Sequence, residues 1–436
     1  MKATTKVAVL AAAALLIGAP AAFAFHSGGV AECEGCHSMH NSFEGSANVT
    51  GGTQYKSGPY LLKAQDQSGA CLNCHNAADT TASGYHISTA GVTPNDSTRA
   101  VEGTPGGDFA WLKKTMSYSI RGAATSLDGD RHGHNIVAVD FGYTADKVLT
   151  TAPGGTYPAA SLACSSCHDP HGKYRRFADG TQTTTGLPIF GSGSYTSSIS
   201  PIGGVSAVGV YRILAGVGYQ PKSLAGSFAF ANPAPDAVAK SSYNGVSTTV
   251  NTAAGQKDLV AYGRGMSEYC ANCHSAMHID TYTSGTKGLV HPAGNGAKLT
   301  APIATNYNAY VTSGVMTGTV GYSAIAPYEL GTGDYTAMTA FVAAPVAATT
   351  NNNVLCLSCH RAHASGFESM ARYNLINEFM TTADAAGVAL YDSSTTEGKI
   401  NTGLSVQQQT DAYNGRPATA FGPMARNNCN KCHAKD

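Results

Sequence analysis

Charged side chains are scarce in this sequence, and neither sign is in excess. Lys and Arg together number 27, Asp and Glu together number 27, and the formal net charge of the 436 residues is zero. The sequence has no basic run of the kind that binds nucleic acid or an anionic membrane surface. A nearly neutral and sparsely charged surface instead permits self-association.

Large apolar side chains are also few for a chain of this length. There is one tryptophan, Trp111, against 50 glycines, and Ser, Thr, Ala and Asn fill much of the remainder. This composition offers little from which to build several aliphatic cores, so the fold is expected to need an additional apolar component. Spacers rich in Gly, Ser, Thr and Asn, such as 151–157 and 191–204, predict loops or weak strands and not domain linkers.

The N-terminus lacks a membrane-spanning run but has the features of a secretory signal. Lys2 and Lys6 flank the start of the apolar run Val7–Ile17, and Ala22–Ala24 supplies small residues for cleavage. The run is too short to cross a bilayer. No cysteine follows the cleavage site and no twin-arginine pair is present, which indicates general export without a lipid anchor. We therefore predict a signal peptide over residues 1–24 and one elongated domain over 25–436, secreted by way of the periplasm.

Cysteine is absent outside one recurring motif, Cys-x-x-Cys-His. Six copies, at 33–37, 71–75, 164–168, 270–274, 356–360 and 429–433, use all 12 cysteines. A thioredoxin-type pair, a zinc site or a disulfide framework would explain the cysteine pairs, but not the histidine that follows each pair. Attachment of c-type haem explains all three positions, because the thiols bind the haem vinyl groups and the histidine binds the iron.

The motifs predict six covalently bound c-type haems. The attachment residues are Cys33, Cys36, Cys71, Cys74, Cys164, Cys167, Cys270, Cys273, Cys356, Cys359, Cys429 and Cys432. The proximal iron ligands are His37, His75, His168, His274, His360 and His433. The haems would supply the apolar mass that the side chains lack.

The spacing between successive motifs is not constant, which excludes a regular solenoid. The predicted fold class is a multihaem c-type cytochrome: mostly coil, with short helices and few strands, wrapped around a chain of six haems. The clearest predicted helix follows the fifth motif, where Ser365 and Glu368 form a capping box before an apolar stripe from Phe367 to Met380. The run Tyr211–Ala215 is a candidate strand, and Asp128–Asp130 is a turn and not a calcium loop.

The second axial ligand decides what each iron can do, because an open position can bind substrate. Seven candidates for six distal positions, one of them surplus, are His40, His86, His134, His171, His278, His291 and His363. His26 and His132 are weaker candidates. His40, His171 and His363 each lie three residues after a proximal histidine. At that spacing they cannot return to the same iron, so each is expected to ligate a neighbouring haem.

The supply of distal histidines leaves no iron obviously open, which favours electron transfer over turnover and predicts no catalytic residue. No motif has lysine in place of the proximal histidine, as the haem nitrite reductases have at their catalytic haem. Two alternatives remain at this point. One is a monomeric periplasmic electron shuttle with the same motifs, and the other is a multihaem oxyanion reductase, which needs a five-coordinate iron.

Five segments carry a resemblance to a known family: 25–42, 164–177, 266–274, 356–367 and the C-terminal CNKCHAKD. They resemble the outer-surface hexahaem c-type cytochromes that form extracellular nanowires in metal-reducing bacteria. The resemblance covers essentially the whole chain. It implies six bis-histidine haems and a location on the outer cell surface.

The same resemblance implies the partners. It implies a head-to-tail homopolymer in which His40 ligates the haem of His360 in the next subunit. Further expected partners are other multihaem cytochromes, iron(III) or manganese(IV) oxides, electrodes and partner cells, with no nucleic acid and no membrane span.

Overall fold

The computed structural model describes fifteen parts of the chain. They are residues 33–38, 59–77, 86–93, 103–120, 123–198, 200–224, 226–240, 245–280, 290–310, 321–375, 380, 382–383, 389–390, 406–421 and 425–433. Residues 1–24, and with them the predicted signal peptide, lie outside these ranges. The single domain over 25–436 stays a prediction.

Helices in the described ranges are short. They are α1 (Cys33–Cys36), α2 (Gln67–His75), α3 (Met266–Cys270), α4 (Ala301–Ala309), α5 (Tyr335–Ala343) and α6 (Val406–Ala412). Side-chain caps fix three of their starts, because Asp66, Thr300 and Asp334 accept a hydrogen bond from a backbone N–H in the first turn of α2, α4 and α5. None of the described helices is long and apolar enough to cross a membrane.

Strands are also short and pair locally. They are β1 (Asn76–Ala77), β2 (Ser88–Thr89), β3 (Met116–Ile120), β4 (Ala123–Leu127), β5 (Arg175–Arg176), β6 (Gln182–Thr183), β7 (Val208–Gly209), β8 (Asp236–Ala239), β9 (Val260–Arg264), β10 (Thr382–Ala383) and β11 (Ala389–Leu390). β1 pairs with β2 in parallel; the pairs β3–β4, β8–β9 and β10–β11 are antiparallel, and β5 lies between β6 and β7. Helix α5 packs its Met338 and Phe341 face on β8 and β9.

Tyrosine hydroxyls donate hydrogen bonds to backbone carbonyls in this fold, which has little regular secondary structure. A chain that is mostly coil leaves many backbone carbonyls without ladder partners, and buried carbonyls require a donor. Tyr307 donates to the Ala326 carbonyl at 2.7 Å, and Tyr322 donates to the Val260 carbonyl at 2.9 Å. The Tyr322 ring also packs edge-on against Phe341 at 4.8 Å. Tyr307 thereby joins helix α4 to a loop, and Tyr322 joins a loop to strand β9.

A buried ion-pair cluster joins distant parts of the chain. Asp258 accepts hydrogen bonds from Arg416 at 2.8 Å and from Arg361 at 3.1 Å, and all three side chains are almost fully buried. Arg361 also donates to the Pro105 carbonyl at 3.0 Å. Burial lowers the pKa of Arg361 to about 9. This cluster links three segments that lie far apart in sequence, and one of them directly follows the fifth motif.

The helix predicted after the fifth motif is wrong over its described part. Glu368–Met370 form a single turn that contains left-handed residues, and the chain is irregular up to residue 375; positions 376–379 lie outside the described ranges. A tertiary contact prevents the helix, because Ala371 pairs with His360 in an antiparallel bridge. The hydroxyl of Ser365, expected to cap a helix, instead donates to the Ala371 carbonyl at 2.6 Å.

The candidate strand Tyr211–Ala215 is likewise wrong, because Tyr211–Ile213 form a turn with left-handed residues. The bridge between His168 and Leu214 bends the chain at this point. The turn expected at Asp128–Asp130 is consistent with the 3₁₀ turn found at Gly129–Arg131.

Candidate haem centres

Each attachment motif folds into a tight turn that brings its cysteines and histidine together. In five motifs the histidine N–H donates to the carbonyl of the first cysteine, at 2.8 to 3.1 Å. The second motif ends helix α2 and makes the same kind of turn. A haem bound by both thiols therefore has the proximal imidazole directly beside it.

The thiols of successive motifs lie beside each other. The interacting pairs are Cys36 with Cys74, Cys71 with Cys164, Cys167 with Cys273, Cys270 with Cys356, and Cys359 with Cys429. All twelve cysteines are described, and none of them is in a disulfide. Burial raises the pKa of Cys273 to about 11 and that of Cys432 to about 12. The six attachment sites follow one another in space in their sequence order.

Three proximal histidines face a second imidazole at the spacing expected for a shared iron. Two imidazole nitrogens that each bind a metal at about 2 Å hold their ring centres about 6 Å apart. The ring-centre distances are 6.4 Å for His168 and His363, 6.0 Å for His134 and His274, and 5.9 Å for His291 and His433. His363, from the fifth motif, thus lies at the third motif.

The free ring nitrogens in two of these pairs fit a bridging iron. The Nδ1 atoms of His168 and His274 hydrogen-bond the carbonyls of Arg212 and Pro153. On the distal side the Nδ1 atoms of His134 and His363 hydrogen-bond the Ala362 and Gly107 carbonyls. Every Nε2 in the two pairs is therefore left available to a metal.

Electrostatics keeps the two candidate distal rings in the protonation state that can bind iron. Burial lowers the pKa of His134 to about 4 and that of His363 to about 3. Both imidazoles are neutral at physiological pH, and neutral imidazole is the metal ligand.

Two glycines let the chain close around His363. A Cβ on Gly107, whose φ is +88°, would stand 1.8 Å from the Ala364 carbonyl oxygen, and one on Gly133 would stand 2.3 Å from the His363 oxygen. The backbone N–H of His363 donates to Gly106, and the His363 carbonyl accepts from His134 at 2.9 Å. The Phe109 ring stacks on the imidazole with 4.6 Å between ring centres. These contacts position a residue that is remote in sequence from the third motif.

The other sequence candidates are placed differently. His40 and His26 lie outside the described residues. The side chain of His171 is 78% exposed. His86 is buried, and the N–H of the next residue, Ile87, donates to the His75 carbonyl at 2.9 Å.

His278 and His132 contact other residues of the described chain and not the ring of a proximal histidine. The Nε2 of His278 lies 3.7 Å from carboxylate oxygens of both Glu268 and Asp280. His132 is buried against Trp111, and its Nδ1 hydrogen-bonds the Ser365 carbonyl at 2.9 Å.

Comparison with known proteins gives one strong relative. The chain is 55% identical, over 444 aligned positions and the full length of both proteins, to the C-type cytochrome OmcS of Geobacter sulfurreducens. The chain belongs to the OmcS family of c-type cytochromes. Two solved structures match it as well, the OmcS nanowires by cryo-electron microscopy (TM-score 0.85) and the outer membrane cytochrome S filament (TM-score 0.84), both from Geobacter sulfurreducens. Each is 54% identical and covers 94% of this chain and 100% of that chain. No family model matches the sequence.

Membership of the OmcS family confirms the resemblance and the fold class predicted from the sequence. The chain is a hexahaem c-type cytochrome, mostly coil with short helices and strands, and an electron carrier and not an enzyme. Sequence reasoning missed the carbonyl acceptors that orient the proximal rings, such as Arg212 and Ser369. A backbone carbonyl has no side-chain identity, so no pattern in the sequence could have revealed them.

One buried carboxyl group next to the fourth and fifth motifs makes stability depend on pH. Burial raises the pKa of Glu329 from 4.5 to about 7, although the Met266 N–H at the start of α3 donates to it at 2.8 Å. A carboxyl whose pKa is raised by folding adds most stability below its unfolded pKa, and this contribution is lost as the pH rises through 7.

We expect Glu329→Gln to be more stable than the parent protein at pH 8 by about 3 kcal/mol and to match it near pH 4, since the amide keeps an acceptor and carries no charge. Chemical denaturation at the two pH values measures the difference. The control is Gln in place of the half-buried Glu368, whose carboxylate pairs with Arg131; its stability relative to the parent should be the same at both pH values. Equal stability of Glu329→Gln and parent at pH 8 would contradict the expectation.

Proposed function

We propose that this chain is an extracellular electron conduit whose copies polymerise head to tail into a filament. The full-length identity to OmcS, and the nanowire and filament structures that match it, support this function. Electrons would pass to iron(III) or manganese(IV) oxides, electrodes or partner cells. Export through the periplasm, with residues 1–24 as the signal peptide, is part of the proposal.

The single observation that carries the proposal is the order of the thiols. Because the thiols of successive motifs interact in sequence order from the first to the sixth, haems bound to them would form an unbranched path from the first motif to the sixth. An unbranched path with two free ends is suited to continuation into a neighbouring copy. The haems supply the electron-transfer chemistry. The polypeptide would hold the haems close together and would supply histidine ligands to their irons.

The iron ligands follow from the same geometry. The twelve motif cysteines attach the haems, and each motif histidine is the proximal ligand. His363, His134 and His291 are proposed as distal ligands at His168, His274 and His433, as their ring spacings support. His278 is the surplus candidate, because its Nε2 faces two carboxylates.

The remaining irons are those of His37, His75 and His360. His171 lies three residues after the proximal histidine of the third motif, as His363 does after that of the fifth. His363 is proposed to ligate the iron of the motif two places earlier. By the same relation, His171 of the third motif would be the distal ligand of the iron that His37 binds in the first. For His75 we propose His86, because His86 lies just before strand β2, which pairs with the strand that directly follows His75; His26 is the alternative.

His40 completes the series across the subunit boundary. His40 lies three residues after the first proximal histidine, as His363 does after the fifth. The motif two places before the first would belong to a neighbouring copy, where it is the fifth motif, so His40 would ligate the iron of His360 there. A ligand that leaves one subunit and enters the next makes a heterologous contact that does not close on itself, and so propagates as a filament. The joint would use a metal–ligand bond, which fixes its geometry.

Cryo-electron microscopy of material sheared from the cell surface tests the proposal. We expect filaments from the parent protein and from His278→Ala, and loss of filaments in His40→Ala with the haem content unchanged. Filaments of normal length in His40→Ala would contradict the joint. A monodisperse monomer from the parent protein would contradict the conduit and favour a soluble electron shuttle.

A further inference from the structure

Backbone strain in the described chain is concentrated in three two-residue turns. Seven described residues other than glycine have positive φ, and six of them form the pairs Tyr60–Leu61, Arg212–Ile213 and Ser369–Met370. The first member of each pair has nearly the same conformation, with φ of 59°, 52° and 55° and ψ of 30°, 33° and 34°. Such conformations disfavour side chains with a Cβ, and most strongly bulky or branched ones.

Each of the three turns pairs with one attachment motif in the same register. The first residue of the turn offers its carbonyl to the proximal Nδ1: Tyr60 to His37 at 3.0 Å, Arg212 to His168 at 2.7 Å, and Ser369 to His360 at 2.8 Å. The carbonyl of the second turn residue accepts from the residue after the histidine, at 2.7 to 2.8 Å. The carbonyl of the second cysteine of the motif accepts from the backbone N–H of the residue two positions after the turn, at 2.7 to 2.9 Å.

The unit recurs in space without recurring in sequence. The acceptor lies 23, 44 and 9 residues after the proximal histidine in the first, third and fifth motifs. Loops of such different lengths would not arrive at one register by local propensity. The common geometry is therefore imposed by what the turn contacts, which is the proximal imidazole and its flanking backbone.

The fourth motif shows that another arrangement is available. The Nδ1 of His274 hydrogen-bonds the Pro153 carbonyl, and the next residue is Gly154, which takes a φ of +67° without a Cβ. The register also differs, since the Gly154 carbonyl accepts from Ala276 and not from the residue after the histidine. Strained non-glycine turns belong to the first, third and fifth motifs, the three that carry a histidine three residues further on.

We infer that the turns Tyr60–Leu61, Arg212–Ile213 and Ser369–Met370 are positioning devices that fix the Nδ1–carbonyl hydrogen bond of alternate proximal histidines, and so lower the potentials of those three haems. A carbonyl acceptor makes the imidazole a stronger electron donor, which stabilises ferric iron and lowers the potential. The same backbone pairing fixes the residue that directly follows each of these three proximal histidines. The inference rests on the haem ligation proposed above.

The exposed first turn is suited to a test, because Leu61 is 52% exposed and its replacement removes little packing. Proline at position 61 fixes φ near −65° and breaks the turn, whereas glycine accepts positive φ freely. In a potentiometric titration of the six-haem protein, we expect Leu61→Pro to shift one component to higher potential and Leu61→Gly to leave all components in place. Equal titration curves for Leu61→Pro and the parent protein, or equal shifts in the two variants, would overturn the inference.

A second measurement keeps the test independent of how well the proline variant folds. If Leu61 is held at positive φ, Leu61→Gly should have a higher thermal midpoint than Leu61→Ala. At Val148, which is 81% exposed and has no positive φ, alanine should be at least as stable as glycine. The alanine variant being the more stable at both positions would overturn the inference. The haem content of the parent protein tests the proposed function separately, since fewer than six haems would contradict that function and leave the turn geometry untouched.

Discussion

Replacement of His363 by alanine is expected to change the reduced protein from one that binds no carbon monoxide to one that binds about one equivalent per chain. The His363 ring lies 6.4 Å from that of His168, and its Nδ1 is engaged by the Gly107 carbonyl. Its removal leaves the iron of the third motif with a single protein ligand and an open position. Carbon monoxide titration of the dithionite-reduced protein, followed in the Soret band, measures the change.

The matched control for this prediction is His278→Ala. Both histidines follow a proximal histidine closely, but the Nε2 of His278 lies 3.7 Å from Glu268 and Asp280. We expect His278→Ala to bind no carbon monoxide. If His278→Ala binds one equivalent and His363→Ala binds none, the assignment of distal and surplus histidines is reversed.

Replacement of Asp258 by asparagine is expected to destabilise the folded chain by about 3–5 kcal/mol, the usual cost of removing one partner from a buried ion pair. Burial alone would raise the pKa of Asp258, but Arg416 and Arg361 lower it below its usual range, so the carboxylate is charged. Asparagine is nearly the same size, and it leaves two buried guanidinium groups without a counter-charge. Denaturant unfolding of the holo-protein at neutral pH measures the loss.

Asp179→Asn is the control for the buried cluster. Asp179 is an exposed carboxylate that accepts a hydrogen bond from the Thr181 N–H at 2.9 Å, and its replacement should leave the unfolding midpoint almost unchanged. If Asp258→Asn unfolds at the same denaturant concentration as Asp179→Asn, the cluster does not hold the three segments together. Because Arg361 directly follows the proximal His360, a local loosening around the fifth haem should accompany the loss of stability.

The attachment chemistry was predictable from the sequence because it is local. Cys-x-x-Cys-His places all three chemical groups of a haem anchor within five residues, so the identity of Cys164, Cys167 and His168 needed no fold. The general coil content also followed from composition, since few large aliphatic side chains and many glycines oppose long helices and strands.

The error over residues 365–375 shows where local patterns fail. Ser365, Glu368 and the apolar stripe that begins at Phe367 are a good helix start. The backbone of Cys359 and His360 nevertheless pairs with Ala371 and Arg372 and holds them in an extended conformation. An extended pairing of this kind outweighs helix propensity, which is a weak preference per residue. The left-handed turn at Ser369–Met370 could not be predicted from the sequence, because a positive φ is normally indicated by glycine or asparagine and this turn contains neither.

The sequence by itself predicted the six haem-attachment motifs, and the resemblance added the family to which the chain belongs. The spatial order of the motifs, the pairing of His363 with His168 and the three left-handed turns were decided only by tertiary structure. The physical reason is separation along the chain. The residues of one attachment motif lie within five positions of one another, whereas the proposed distal ligand His363 lies 195 positions from His168 (363 − 168). Which histidine completes which iron depends on loops whose lengths differ from motif to motif, and no periodic pattern in the sequence records where those loops end.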